Sequence, residues 1–292
     1  MSGLLTEMAR LSFERCEAAR ARESEAQLWS RANAMPAAPK LKLAPEGFDL
    51  IAECKLHSPS SGDLSANTSD VQTRVAAYGL GGAAAVSVLT EPTRFGGELA
   101  HLIQATEVLT PLTVPTMRKD FLVEPYQVIE ARVAGAGGVL VIARMLDQSR
   151  ITALLDCAAM LGLFALVEAF DADDINLINE VLAQRKQHQE RILVGVNCRD
   201  LQTLKVNFDR LGELVDLLPR AYPKVAESGV TNVEDVKHVV EMGYHVALVG
   251  TTLMNSPEPR KLACQLLTTG REIALSARTQ QVEFFAADLP KK

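Results

Sequence analysis

Aromatic side chains are scarce in this sequence, with one Trp, four Tyr and nine Phe among 292 residues. Long apolar runs are missing too. The longest, such as Cys157–Val167, fall well short of the roughly 20 residues that cross a bilayer. The first residues mix acids and bases without a continuous apolar stretch, so no secretory signal is expected. No block of Lys and Arg stands out, and 36 acidic against 30 basic residues leave a formal charge of −6. That balance argues against nucleic acid as a partner and confines any anion site to a local basic pocket. The five cysteines (Cys16, Cys54, Cys157, Cys198, Cys264) are odd in number, scattered and never spaced C-x-x-C. They read as reduced thiols of a cytoplasmic protein. His57, His101, His188, His238 and His245 have no ligand spacing, so no metal is expected.

What is present is ample core material, 48% hydrophobic residues with 18 Gly. At roughly 100–200 residues per domain the length suggests two domains, although α/β barrels run longer as one. One pattern recurs: a helical stretch, a glycine turn, then a short β-branched run. Gly79, Gly81 and Gly82 precede Ala85–Leu89, and Gly135, Gly137 and Gly138 precede Val139–Ile142. Gly162 precedes Phe164–Val167, and Gly243 precedes Val246–Val249. Glycine just past a helix end takes the left-handed conformation at little cost. A short, wholly apolar strand suits a sheet covered on both faces. A dinucleotide-binding glycine loop would follow its strand instead, which disfavours a Rossmann reading.

Four further runs, Phe48–Cys54, Leu112–Met117, Ile192–Val196 and Lys224–Ala226, bring the predicted strands to eight. Helical patterns such as Thr68–Tyr78, Pro125–Ala134 and Asn232–Glu241 separate them, the last with Thr231 or Asn232 as its cap. The strand ends at Glu53, Thr90, Lys119, Ala143, Glu168, Asn197, Glu227 and Gly250 lie between 23 and 37 residues apart, about one βα unit each. Without a hairpin signal this predicts an α/β fold, a (β/α)8 TIM barrel with an N-terminal helical extension. Residues 1–40 are the extension and linker, with Leu4, Leu5, Met8 and Leu11 at helical spacing. Residues 41–270 form the barrel. Residues 271–292 are a tail, polar over most of Ser276–Lys292, after a helix that starts near Pro259.

A barrel carries its chemistry at the C-terminal ends of its strands. Glu53 and Lys55, two apart, share one side of the first strand. Lys119, Glu168, Asn197 with Arg199, and Glu227 end strands three, five, six and seven. Any one of these residues alone reads equally well as half of a rim salt bridge. Three acids and three cations at repeating offsets point instead to a site. Asp120 is adjacent to Lys119 and so faces the other way, in a structural role. Glu227-Ser228-Gly229 and Gly250-Thr251 follow strands seven and eight, where barrels bind phosphate on backbone N–H groups and hydroxyls such as those of Ser228 and Thr251. No nucleoside triphosphate loop of the G-x-x-x-x-G-K-[ST] kind is present. Ser58–Asp63 is a turn-rich loop able to close over a ligand. Phe95 and Phe121 lie beside two strand ends, as core or as a slot for an aromatic ring. Trp29, Met8 and Met117 read as packing.

Taken in order, these strings resemble the indole-3-glycerol phosphate synthase family over about residues 5–270. The resemblance rests on Ala52-Glu53-Cys54-Lys55 followed by Ser58-Pro59-Ser60, and on Ser87–Glu91 with Phe95. Lys119-Asp120-Phe121, Val167-Glu168, Asn197–Leu201, Val225–Gly229 and Val249-Gly250 extend it. It implies decarboxylating, dehydrating ring closure of 1-(2-carboxyphenylamino)-1-deoxyribulose 5-phosphate, without cofactor or metal. Lys119 would be the general acid. Lys55 would bind the carboxylate and deliver a proton in the dehydration. Glu168 would stabilise the cationic intermediate, and Glu53 would accept a proton or pair with Lys55. Asn197, Arg199 and Glu227 would hold substrate hydroxyls and the charge network. Ser58, Phe95, Phe121 and Ser228 join the expected substrate contacts, and Ser228, Gly229, Gly250 and Thr251 the phosphate contacts. The expected partner is a small phosphorylated molecule, with no nucleic acid or membrane, and the chain a monomer or weak homo-oligomer. Leu56 and His57 depart from the basic residues common in the family, as does Ser61 from lysine. Gln184–Arg191 is a lengthened connection. Phosphoribosylanthranilate isomerase, another phosphosugar barrel, lacks the Glu53, Lys55 and Lys119 set. A weakened, merely binding paralogue would have only the Leu56–Ser61 loop in its favour.

Overall fold

A computed structural model describes residues 3–45, 47–58, 62–63, 70–185, 191–200 and 203–287, without the side chains of 58, 63 and 280–287. Eight parallel strands close into a barrel. They are β1 (Asp49–Cys54), β2 (Ala85–Leu89), β3 (Thr116–Lys119), β4 (Gly138–Ile142), β5 (Phe164–Ala169), β6 (Ile192–Asn197), β7 (Lys224–Glu227) and β8 (Val246–Val249). Each pairs with its sequence neighbours, and β8 closes on β1 through Asp49↔Val246 to Ala52↔Val249. Nearly every strand residue is buried, as a sheet with side chains inside and helices outside requires.

The helices follow the strands. The covering layer is α3 (Val71–Leu80), α4 (Pro92–Phe95), α5 (Leu99–Leu109), α6 (Pro125–Val133), α7 (Gln148–Met160), α8 (Ala172–Ala183), α9 (Asp209–Leu214), α10 (Val233–Glu241), α11 (Thr251–Asn255) and α12 (Pro259–Ala287). Before them come α1 (Gly3–Arg20) and α2 (Glu25–Ala34), numbered first in chain order. Caps explain several starts. Asn232 accepts from the N–H groups of Glu234 and Asp235 and caps α10, while Thr231 instead donates to Asp235 at 2.6 Å. Ser24 and Gln27 form a reciprocal capping box on α2.

The third strand is a correction. The apolar run Leu112–Met117 only partly overlaps β3, because residues 110–114 form a turn in which Thr113 takes φ 58°. Leu112 and Val114 are apolar because they pack beside Gly79 of α3, where a methyl group would lie 3.1 Å from Leu112. The last helix also continues past Ser276 to Ala287, a stretch without Pro or Gly. Arg271 ties it to the start of β1 by donating to Asp49 Oδ1 at 2.7 Å.

Two cores result. One lies between strands and outer helices. The other fills the barrel, where Ile51, Met117, Leu140, Leu166 and Leu248 meet Leu5 and Met8 of α1. The N-terminal helix therefore lays its apolar stripe over the barrel itself, with Leu4 and Leu11 packed at the margin. Met8 and Met117 are fully buried, as packing residues should be.

Candidate active site

The strand ends bring the expected charged residues together around one amine. Lys119 ends β3, and its Nζ lies 3.3 Å from Glu168 Oε2, 3.4 Å from Glu227 Oε2 and 4.0 Å from Glu53 Oε2. Glu53 also accepts from Lys55 Nζ at 2.6 Å through its other oxygen, so one carboxylate bridges both lysines. Asn197 donates to Glu168 Oε2 at 3.2 Å and accepts from the Arg199 N–H at 3.0 Å and from Ser228 Oγ at 2.9 Å. Glu53, Lys55, Lys119, Glu168, Asn197, Arg199 and Glu227 share one cavity of about 420 Å³.

Burial and charge set the protonation states. Burial works against the charge on Lys119, but Glu168, Glu227 and Glu53 outweigh it and raise the ammonium above its ordinary value. Glu53 is likewise opposed by burial, yet Lys55 and Lys119 hold it below the usual carboxylate range. Glu227 goes the other way. Burial and the neighbouring Glu168 carboxylate push it well above that range, against the pull of Lys119. Its Oε1 is buried without a hydrogen-bond partner among the described residues. The cavity thus holds an ammonium, a carboxylate and a carboxyl group with one oxygen unmatched.

The raised Glu227 carboxyl has a measurable consequence. Its proton is bound more tightly in the folded than in the unfolded chain, so it costs stability as pH rises from its unfolded value toward its folded one. Glu227→Gln removes that dependence. The variant's stability relative to the parent is expected to rise between pH 5 and pH 8, by on the order of 1 kcal/mol per pH unit while Glu227 titrates. Parallel melting curves across that range would contradict the assignment.

Two glycines make the cluster possible. A Cβ on Gly250 would stand 2.3 Å from Glu53 Oε1 and 2.9 Å from Lys55 Nζ. One on Gly195, within β6, would stand 2.3 Å from Glu227 Oε1. Sequence reading named Gly250 as an anion loop and passed over Gly195. A glycine inside an apolar strand is the available signal, since it marks close approach of another group.

The remaining expected contacts divide. Phe95 and Phe121 both line the cavity, their rings 6.1 Å apart and tilted by 40°. Ser228, Gly229, Gly250 and Thr251 line it too, with Ser228 at φ 69° and Gly229 at φ 81°. A serine held in that region is strained, and such strain concentrates at sites. The Ser228 hydroxyl donates to Asn197 Oδ1, the residue that pairs with Glu227 across β6–β7. Arg199 lines the cavity while its guanidinium donates to Leu204 O at 2.9 Å within its own loop. The side chain of Ser58, and Pro59–Ser61 of the expected closing loop, lie outside the described residues, as do 64–69, 186–190 and 288–292. At the edges of that loop His57 pairs with Asp63 in a two-residue ladder, and the His57 ring meets Arg94 O at 2.8 Å. Unforeseen contributors are Leu4 and Leu5, which bring α1 into the cavity wall. Asp120, expected to face away, lines the cavity as well, while its carboxylate accepts from Phe121 N and Thr90 Oγ1.

Fold and site together define an acid–base enzyme of the (β/α)8-barrel class. Solved barrels agree on the fold alone. 3-Hexulose-6-phosphate synthase from Salmonella typhimurium superposes with a TM-score of 0.56 at 14% identity, over 76% of this chain and 98% of its own. Thiamine phosphate pyrophosphorylase from Pyrococcus furiosus gives 0.54 at 13% identity, over 80% and 98%. Sequence comparison is more specific. A family model described as indole-3-glycerol phosphate synthase matches residues 8–266. A protein of that name from Nocardioides sp. is 44% identical over 213 residues, 73% of this chain and 77% of the relative. Another from Beutenbergia cavernae is 39% identical over 251 residues, 86% and 88%. The chain belongs to the indole-3-glycerol phosphate synthase family, decarboxylating lyases of tryptophan biosynthesis.

Proposed function

We propose that the cluster around Lys119 closes 1-(2-carboxyphenylamino)-1-deoxyribulose 5-phosphate to indole-3-glycerol phosphate, releasing carbon dioxide and water. The observation that carries this reading is the position of Lys119 Nζ, inside the cavity and within 4.0 Å of three carboxylates. As the aryl carbon attacks the ribulose carbonyl, negative charge grows on oxygen and positive charge on the ring and its nitrogen. Lys119 protonates the oxygen, and Glu168 stabilises the cation. Lys55 holds the substrate carboxylate until the carbon–carbon bond breaks, its electrons restoring the ring. Loss of the new hydroxyl as water, with a proton from Lys55 and Glu53 as acceptor, then gives the indole. The unmatched Glu227 Oε1, with Asn197 and Arg199, takes the ribulose hydroxyls. The Phe95–Phe121 pair receives the aryl ring.

The four residues Ser228, Gly229, Gly250 and Thr251 hold the phosphate, supported by their shared cavity wall and by the left-handed backbone of Ser228 and Gly229. That handle supplies binding energy remote from the reacting atoms. No described helix is long and apolar enough to cross a membrane. All five cysteines are free, which supports a reducing, cytoplasmic setting. Exposed large apolar residues such as Phe13, Leu80 and Met160 lie on separate helices, which supports a monomer or weak homo-oligomer.

Indole fluorescence tests the reaction. It is expected to rise on adding substrate to the purified protein without added metal, and to require Lys119. Binding of the substrate without a fluorescence gain would favour a merely binding paralogue.

A further inference from the structure

Arg15 of α1 precedes Asp120 by 105 residues, yet its guanidinium reaches two buried carboxylates at the reacting end of the barrel. Nη2 donates to Asp120 Oδ1 at 2.8 Å, and Nη1 lies 3.6 Å from Glu91 Oε1. Each carboxylate fixes a piece of the site. Asp120 follows Lys119 directly, and its Oδ1 also accepts from the Phe121 N–H at 2.8 Å. Its Oδ2 accepts from Thr90 Oγ1 at 2.7 Å and from Arg118 Nη2 at 3.2 Å. Thr90 N in turn donates to the carbonyl of Lys119 at 3.1 Å. Glu91 accepts from the N–H groups of Thr93, Arg94 and Phe95 and so seats α4, which carries Phe95.

The electrostatics make Arg15 more than one contact among many. Asp120 and Glu91 have almost no exposed surface, and Arg118 is shared between Asp120 and Glu130, 3.1 Å away. Among the described residues, Glu91 without Arg15 keeps only backbone and hydroxyl donors, and Asp120 loses one of two cations. Removing one partner of a buried charge leaves the other uncompensated, and its surroundings shift to solvate it. Here the surroundings are the backbone of Lys119 and the supports of both rings of the aryl slot. Arg15 is not among the residues that line the cavity.

We propose that Arg15 is a positioning residue. Through Asp120 and Glu91 it sets Lys119 and the Phe95–Phe121 slot against the substrate, which makes α1 a working part of the site. The inference rests on Lys119 being the acid, and Lys119→Met tests that reading separately. Steady-state kinetics and melting of the full-length enzyme test Arg15 itself, with Arg15→Met, Arg15→Lys and Arg20→Met compared. Arg20 lies on the same helix and pairs with Glu124 at 3.2 Å, so its loss reports on helix docking alone. Misplacement of a reacting group by about 1 Å costs up to ~100-fold. Arg15→Met is therefore expected to lower kcat about tenfold with KM within about threefold, in a folded protein. Arg15→Lys, a point charge without the fork, is expected to fall between, about threefold down. Arg20→Met is expected to keep kcat within about twofold of the parent. Parental kcat in Arg15→Met would overturn the proposal, as would equal losses in Arg15→Met and Arg20→Met. If Arg15→Met does not fold, parental kcat in Arg15→Lys overturns it and a loss confined to kcat supports it.

Discussion

Lys119→Met is expected to lower kcat about 1,000-fold, the order of effect of a positioned general acid, while the protein stays folded. Methionine keeps the length of the stem but removes the proton and the charge. Nothing else in the cluster can take over. Lys55 is tied to Glu53 at 2.6 Å. The surrounding pairs give the variant a second signature. With Lys119 gone, the three glutamates face one another without their shared cation: the Glu227 carboxyl loses the charge that pulls it down, and Glu53 loses one of the two cations that hold it low. Stability is then lost as pH increases through the carboxylate range, and little is lost below it. The unfolding free energy at pH 5 is expected close to the parent's, and at pH 8 lower by about 3 kcal/mol. Near-normal kcat would refute the acid assignment, whatever the melting behaviour.

Gly250→Ala is expected to cost about 100-fold in kcat/KM with little change in Tm, the reverse balance from an ordinary core substitution. The new methyl group would meet Glu53 Oε1 at 2.3 Å and Lys55 Nζ at 2.9 Å. Both atoms are the ends of side chains, which swing aside at small cost to the fold. What they lose is their position against the substrate carboxylate. A large fall in Tm with kcat/KM preserved in the surviving folded protein would show that Gly250 serves the backbone instead.

Much of this was legible because barrel geometry turns a list into a place. Once eight strand ends are marked, Glu53, Lys119, Glu168 and Glu227 must converge, whatever their distance in sequence. Their pairing was not legible. That Lys119 sits among three glutamates while Lys55 keeps one depends on side-chain reach, to which strand spacing is blind. Leu112 and Val114 misled for a related reason. An apolar run marks packing against a core, and partial burial in a turn against Gly79 reads the same in sequence as burial in a strand. Gly195 shows the converse, since a glycine in a strand announces a close approach without naming the carboxylate that makes it. Arg15 was beyond reach altogether. Its helix reads as an amphipathic extension, and only the docked fold shows that the polar edge of that helix meets Asp120 and Glu91.

The most direct measurement follows one turnover with substrate labelled in the carboxyl carbon, recording labelled carbon dioxide and indole fluorescence together. Ring closure at the Lys119 cluster is expected to release one labelled carbon dioxide per indole formed, with both signals lost in Lys119→Met. Carbon dioxide without indole, or either signal surviving in that variant, would contradict it.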